Sequence, residues 1–270
     1  MVEPFFKTEL GELYHGDCSP ILMQMIGQVQ ADLIFCDPPF NLNKQYGEHV
    51  DDSLRGGLYS DWLKSWLAKC VYLLAPGGSL MVYNLPKWNI FAASYLLSEG
   101  GLDFVDWVAV RVTQGFPRSK GLYRGHYGII HFTNGKPRVL NKIRVPIETC
   151  RHCKGELRDY GGHRSKMSVD GVSVSDIWTD IPTVRHAKYK TPGWHGPQLS
   201  TKLVRRCILL ATNPGDVVLD PFAGSGTTPA VCEAEGRRWV AIEKGDCSII
   251  QARIEQKNTA FHKSFDRVNA

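Results

Sequence analysis

The sequence predicts an α/β fold: a doubly wound, mostly parallel sheet that carries an inserted middle region. Three observations predict it. Strand-length apolar runs alternate with helical periodicities on both flanks of the chain. A glycine-rich loop, Phe222-Ala-Gly-Ser-Gly226, separates one such strand from a helix. The charge is also divided. Arg111 to His195 holds 16 Lys+Arg against 6 Asp+Glu, and the rest of the chain holds 16 against 21. One sheet drawn from both acidic flanks requires them to fold together. Residues 1–112 are therefore read as a first half, 113–194 as a basic insertion and 195–270 as a second half.

The elements follow in order. Residues 11–17 read as a short strand ending on Asp17. Residues 19–28 read as a helix, with Ser19 suited to the N-cap and Pro20 to the first turn. Leu33-Ile-Phe-Cys36 is a buried strand that stops on Asp37-Pro-Pro-Phe40, and 41–57 is a polar loop. From Ser60, the residues Trp62, Leu63, Trp66, Leu67, Cys70, Val71 and Leu74 keep i, i+3, i+4 spacing, which predicts an amphipathic helix. Ala75-Pro-Gly-Gly78 should break it before a buried strand at 79–83. A helix at 90–98 and strands at 105–112 and 127–132 follow, the last before an Asn134-Gly135 turn. Residues 134–195 show no long period and are expected to be irregular. Helix 199–211, strand 217–220, helix 227–235, strand 239–243 and a helix from Ser248 complete the chain.

With 270 residues, 43% apolar content and a mean hydropathy of -0.21, the composition is that of a globular domain. No apolar run approaches the roughly 18 residues of a membrane span. The start, MVEPFFKTELGELYHGD, lacks the basic and then apolar order of a signal peptide. The eight cysteines form no framework and are expected to be reduced, as in a cytoplasmic protein. The basic middle, which also holds six of the nine histidines, suggests a polyanionic partner.

The glycine loop excludes two nucleotide motifs. A dinucleotide fingerprint needs a third glycine where Pro229 stands, and a P-loop needs Gly-Lys-Ser/Thr. The next strand ends on Glu243, where a carboxylate can accept hydrogen bonds from both ribose hydroxyls. Asp220 is placed to meet a cationic amino group. An acid for an amine, a thin glycine passage and an acid for a ribose together suit S-adenosylmethionine.

The Asp37-Pro-Pro-Phe40 stop then has a chemical reading. A base amino group is a poor nucleophile, because its lone pair is delocalised into the ring. It needs acceptors for its hydrogens, and Asp37 and the Pro38 carbonyl offer two on one turn. The rings of Pro38 and Pro39 stiffen that turn. Phe40 offers a face for stacking, worth roughly 1–3 kcal/mol per base. A base in a duplex must first be flipped out, at a cost of a few kcal/mol. No covalent cysteine is needed, so Cys36 is read as core.

Together these residues resemble the DNA amino-methyltransferases, in the class whose catalytic motif precedes the cofactor motif. The resemblance rests on "DPPFNLNKQY" and "NPGDVVLDPFAGSGTT", in that order. It implies a Rossmann-like S-adenosylmethionine-dependent methyltransferase fold with a mixed sheet of about seven strands. It implies catalysis by Asp37, Pro38, Pro39 and Phe40, with adenine N6 favoured over cytosine N4. It implies a cofactor loop of Asp220, Phe222, Gly224, Gly226 and Thr227 together with Glu243, and it adds Asp17 near the cofactor adenine. It makes residues 113–194 the target-recognition region. There Arg118, Lys120, Arg124, Arg164 and Lys166 are the expected contacts to double-stranded DNA. The family's His-Pro-x-Gln-Lys-Pro run is His195-Gly-Pro-Gln-Leu-Ser200 here, without the lysine; Lys202 is nearest. No metal is expected; Cys150 and Cys153 offer half of a zinc site, with no second such pair. A homodimer and a cognate restriction endonuclease fit the resemblance. The competing readings are a cytosine-N4 enzyme, an RNA or protein amide methyltransferase, and a catalytically silent DNA-binding module.

Overall fold

The computed structural model describes residues 2–42, 54, 56–112, 120–150, 152–156 and 160–255. In chain order the elements are β1 (Phe6–Lys7), β2 (Gly11–His15), α1 (Cys18–Met25), β3 (Ala31–Cys36), α2 (Gly56–Leu73), β4 (Leu74–Asn84), α3 (Pro86–Ser98), β5 (Asp103–Arg111) and β6 (His126–Thr133). Then come β7 (Arg144–Val145), β8 (Val172–Ser173), β9 (Ile177–Trp178), α4 (Thr201–Ala211), β10 (Val217–Asp220), α5 (Thr227–Glu235), β11 (Arg238–Glu243) and α6 (Cys247–Glu255). Nine strands form one sheet in the order β1-β2-β11-β10-β3-β4-β6-β5-β9, and β7 and β8 make a separate ribbon.

From β2 to β4 the neighbouring strands run parallel. Helices cover both faces of this stretch, so its strands are apolar on both sides. Leu33, Ile34, Phe35 and Cys36 of β3 are all fully buried. Alternate residues enter two cores. Ile34, Cys36, Leu80 and Val82 meet α1, α2 and α3 through Leu22, Trp66 and Leu96. Leu33, Phe35, Met81 and Val218 meet α4, α5 and α6 through Leu203, Ile208, Val231 and Ile250. The chain leaves β3 over the first face and β10 over the second. These two strands are neighbours, so a crevice opens beyond their carboxyl ends, where doubly wound sheets take their ligands.

Several details differ from the sequence reading. The sheet has nine strands, because the two-residue strands β1 and β9 are too short to show a period. Helix α1 is capped by Asp17, whose Oδ1 accepts the Ser19 N–H at 3.0 Å, so Ser19 is not the cap. Pro86 sits in the first turn of α3 and starts it ahead of Ile90. Ala75-Pro-Gly-Gly78 does not break the chain between α2 and its strand; a register shift lets β4 begin at Leu74. Gly77, at φ +73°, donates to the Asn134 carbonyl at 2.7 Å, which ties this irregular stretch to the chain after β6. The segment 113–194 is not set apart from the sheet either. β6 lies between β4 and β5, and β9 extends the sheet beyond β5. Between β6 and β9 the described residues are largely irregular, as expected.

Candidate active site

The turn after β3 is held from two helices. Tyr59 of α2 donates its hydroxyl to the Pro39 carbonyl, and Asn84 Nδ2 donates to Tyr59 Oη at 3.1 Å. Asn84 is itself fixed, its Oδ1 accepting the Leu85 N–H at 2.7 Å. Trp88 of α3 donates Nε1–H to the Phe40 carbonyl at 3.1 Å. Among the described residues no hydrogen bond reaches the Pro38 carbonyl, which stays available. Asp37 stands half-buried at a cavity wall. Burial, with the charge of Asp220 adding to it, pushes its carboxyl well above the usual range.

Beside Asp37, three aromatic rings face one another. Phe40 lies 5.7 Å from Tyr83 and 5.3 Å from Tyr127 between centroids, and the two tyrosines are 5.6 Å apart. Burial and the neighbouring Asp37 raise the Tyr83 phenol far above its ordinary range, so it stays protonated. An apolar box beside hydrogen-bond acceptors can receive a flat heterocycle with an amino group.

The glycine turn after β10 is fixed from beneath. Asp220 is buried, and its Oδ1 accepts the Phe222 N–H at 2.9 Å. Burial lifts its pKa to about 7, against hydrogen bonds from Thr228 and Phe222 that pull it back. Gly226 takes φ +76°, and a Cβ there would sit 2.8 Å from Ile250 Cγ2, so only glycine fits. Arg253 of α6 donates Nη1–H to the Ser225 carbonyl at 2.8 Å and reaches Thr227 Oγ1 at 3.1 Å. Burial lowers that guanidinium's pKa to about 10.

Glu243 closes β11 across from this turn. Its Oε2 accepts the Gly224 N–H at 2.6 Å and its Oε1 the Gly245 N–H at 2.7 Å. Burial raises its pKa, and the surrounding backbone N–H groups oppose the rise. Phe222 is wedged against Trp66 and Trp62, at 5.0 and 5.8 Å between centroids. Asp17 lies beside Gly16, with Lys244 Nζ 3.3 Å from its Oδ2.

One cavity of about 990 Å³ joins the two turns. That is the upper end of the roughly 300–1,000 Å³ of small-molecule pockets. Asp37, Pro38, Pro39 and Phe40 line one part of it, and Asp17, Phe222, Gly224 and Glu243 another. Asp220, Gly226 and Thr227 are not in the lining and support the turn from below. Of the cations expected to meet DNA, Arg118 lies outside the described residues. Lys120 and Lys166 are exposed and Arg124 half-buried, and none of the three lines the cavity. Arg164 is taken by Glu156, at 2.8 and 2.7 Å from its two carboxylate oxygens. Cys150 is half-buried and Cys153 exposed in a tight turn, and no group of three or more metal-ligating side chains occurs among the described residues. Lys202 ion-pairs with Asp180 at 2.8 Å, while His195 and Gln198 line the cavity. The sequence reading missed Tyr59, Trp88, Tyr83, Tyr127 and Arg253. Tyr83 and Tyr127 had a signal, as the last and first residues of predicted strands.

A family model for DNA methylases of the N6/N4 type matches residues 31–252. The type II methyltransferase M.BamHI of Bacillus amyloliquefaciens is 45% identical over 258 residues, covering 95% of this chain and 60% of its own length. The type II methyltransferase M.HpaI of Haemophilus parainfluenzae is 30% identical, covering 88% of this chain and 72% of its own. The DNA adenine methyltransferase YhdJ of Escherichia coli K12 is 27% identical, covering 97% and 88%. Among solved structures, the cytosine-N4-specific PvuII DNA methyltransferase superposes with a TM-score of 0.65 at 17% identity, covering 99% of this chain and 94% of that one. The M1.HpyAVI–SAM complex superposes with a TM-score of 0.59 at 20% identity, covering 92% and 100%. At those identities the likeness concerns the fold. The chain spans 60% of the length of M.BamHI.

Proposed function

The chain belongs to the N6/N4 DNA methylase family, and from that premise we propose that it methylates the exocyclic amino group of a flipped-out DNA base, adenine N6, using S-adenosylmethionine. The observation that carries this reading is the single cavity shared by the Asp37–Phe40 turn and the Phe222–Glu243 end.

The residues fit the cofactor. Glu243 accepts the Gly224 and Gly245 N–H groups and lines the cavity, where its carboxylate would also take the ribose hydroxyls. Phe222 gives an aromatic face, and Asp17 a carboxylate near it. Among the lining acids, Asp37 stands on the turn where the base would sit and would face the transferred methyl group rather than hold the cofactor. Asp220, first assigned to the amine, acts through the Phe222 N–H that it fixes. When bound, S-adenosylmethionine supplies an electrophilic methyl group.

The chain's own residues do the rest. Asp37 and the Pro38 carbonyl accept the two amino hydrogens, which draws the nitrogen toward tetrahedral geometry and frees its lone pair for in-line attack. Phe40, Tyr83 and Tyr127 hold the ring and exclude water. Asp37, made more basic by burial, receives the proton that the methylated nitrogen sheds. Residues 113–194 serve target recognition. No helix among the described residues is long and apolar enough to cross a membrane, and a cytoplasmic location suits a chromosomal substrate. The type II names of M.BamHI and M.HpaI support a cognate restriction endonuclease. A homodimer is proposed with it, and light scattering on the purified protein decides.

The acceptors do not depend on which ring carries the amino group; the named activity of YhdJ supports adenine. The test is incubation with methyl-labelled S-adenosylmethionine and mixed-sequence duplex DNA, then digestion to nucleosides. Label in N6-methyladenine is expected. Label in N4-methylcytosine replaces the base and keeps the chemistry, and no label in DNA overturns the reading.

A further inference from the structure

Of the expected DNA contacts that are described, none lines the cavity, yet the cavity has cations of its own. Arg111, Arg185, Lys190 and Lys244 line it. Two of these are occupied. Lys190 Nζ donates to the carbonyls of His195 and Gly196 at 3.3 and 2.8 Å, and Lys244 reaches Asp17 at 3.3 Å. Arg111 and Arg185 are exposed, and neither guanidinium has a hydrogen bond or ion pair among the described residues.

The topology sets these two guanidinium groups beside the aromatic box. Arg111 is the last residue of β5, which runs parallel to β4 and β3 through the antiparallel β6. It therefore emerges on the same sheet edge as Asp37. With three strand spacings between β3 and β5, it stands about 14 Å along that edge. Its registered partner is His126, next to Tyr127 of the box. The chain leaving β9, parallel to β5, passes along the same wall as residues 181–185. Val184 is bridged there to Gln198, another lining residue. The acids of the lining, Asp17, Asp37 and Glu243, lie toward β2, β3 and β11, with Lys244 paired to Asp17 among them, so the uncommitted arginines gather at the other end of the cavity.

The geometry points to Arg111 and Arg185 as a phosphate clamp that grips the phosphodiesters flanking the extruded nucleotide. This rests on the proposed DNA methylation and adds the contacts that hold the substrate backbone. Guanidinium forks match phosphate oxygens two at a time. Backbone contacts of this kind fix register and carry no sequence information.

The experiment is duplex-DNA binding over a salt series, by fluorescence anisotropy, for wild type, R111Q, R185Q and the control K136Q. Lys136 is exposed on the turn after β6, at the opposite edge of the sheet, and its loss removes the same charge. Each arginine variant should lower the slope of log K against log salt by about 0.9. Affinity should fall alike on every sequence tested, with S-adenosylmethionine affinity unchanged and K136Q matching wild type. A wild-type slope in either arginine variant, or a K136Q loss equal to theirs, overturns the clamp. A variant that loses cofactor affinity does the same. If wild type shows no salt-dependent DNA binding and no label in DNA, the underlying function fails instead.

Discussion

At Asp37 two influences, burial and the charge of Asp220, both favour the protonated carboxyl. A bound cation such as S-adenosylmethionine would oppose that bias and favour the ionised form that accepts the proton. Asp37→Ala should lower the methyl-transfer rate by roughly 10²–10³-fold or more, with cofactor affinity within a few fold. Single-turnover rates and equilibrium dialysis check this, and retained turnover would sink the mechanism. Tyr59→Phe tests the support. It strands the Pro39 carbonyl and Asn84, so about 1–3 kcal/mol of stability should go. kcat should fall several-fold with cofactor affinity unchanged, and an unaltered kcat would remove Tyr59 from the positioning of the turn. The acids were legible in the sequence because strand ends show as breaks in apolar runs. Tyr59 and Trp88 were not, since their spacing is that of any buried helical face and their partners are backbone carbonyls far along the chain.

Among the elements, the glycine turn and the two helices that bracket it act as one unit. α5 begins at Gly226 in the left-handed region, and α6 presses Ile250 and Arg253 against the same turn. Gly226→Ala should cost about 1–2 kcal/mol for the backbone alone, before the clash with Ile250 is counted. Cofactor affinity should weaken by tenfold or more in calorimetric titration, and wild-type affinity would show that the turn tolerates the change. Helices α2, α4 and α5 and the parallel strands were readable because their apolar periods are long. Strand β9 has two residues, and its place beside β5 depends on contacts made across the insertion. No local pattern reports that.

For the whole molecule, the buried acids tie stability to pH. Asp220 titrates at its ordinary 3.8 when unfolded and at about 7 in the fold, so between these values the folded chain holds the extra proton. Stability then falls as pH rises through that window. His131 works the other way, since burial takes it from 6.5 to about 4, and its contribution grows as pH rises between them. The difference between proteins separates the two. In thermal melts from pH 4 to 8, the Asp220→Asn variant should gain relative to wild type as pH rises toward 7 and then hold steady. A constant gap between the two proteins would mean that Asp220 ionises normally. Saturating S-adenosylmethionine at 100 times its Kd should add about 2.7 kcal/mol to either protein that binds it.

The sheet order also has a consequence for synthesis. β2 and β3 leave the ribosome early, but the strands that fill the gap between them, β11 and β10, come from the last part of the chain. Trp239 must then settle over Gly11, where no side chain is tolerated. At about 5–20 residues per second, the strand edges of β2 and β3 wait roughly 10–45 s for their partners. A nascent chain of this protein therefore carries two unpaired edges, one of them on the largely apolar β3, for most of its translation. It should depend on holding chaperones until its final strands arrive.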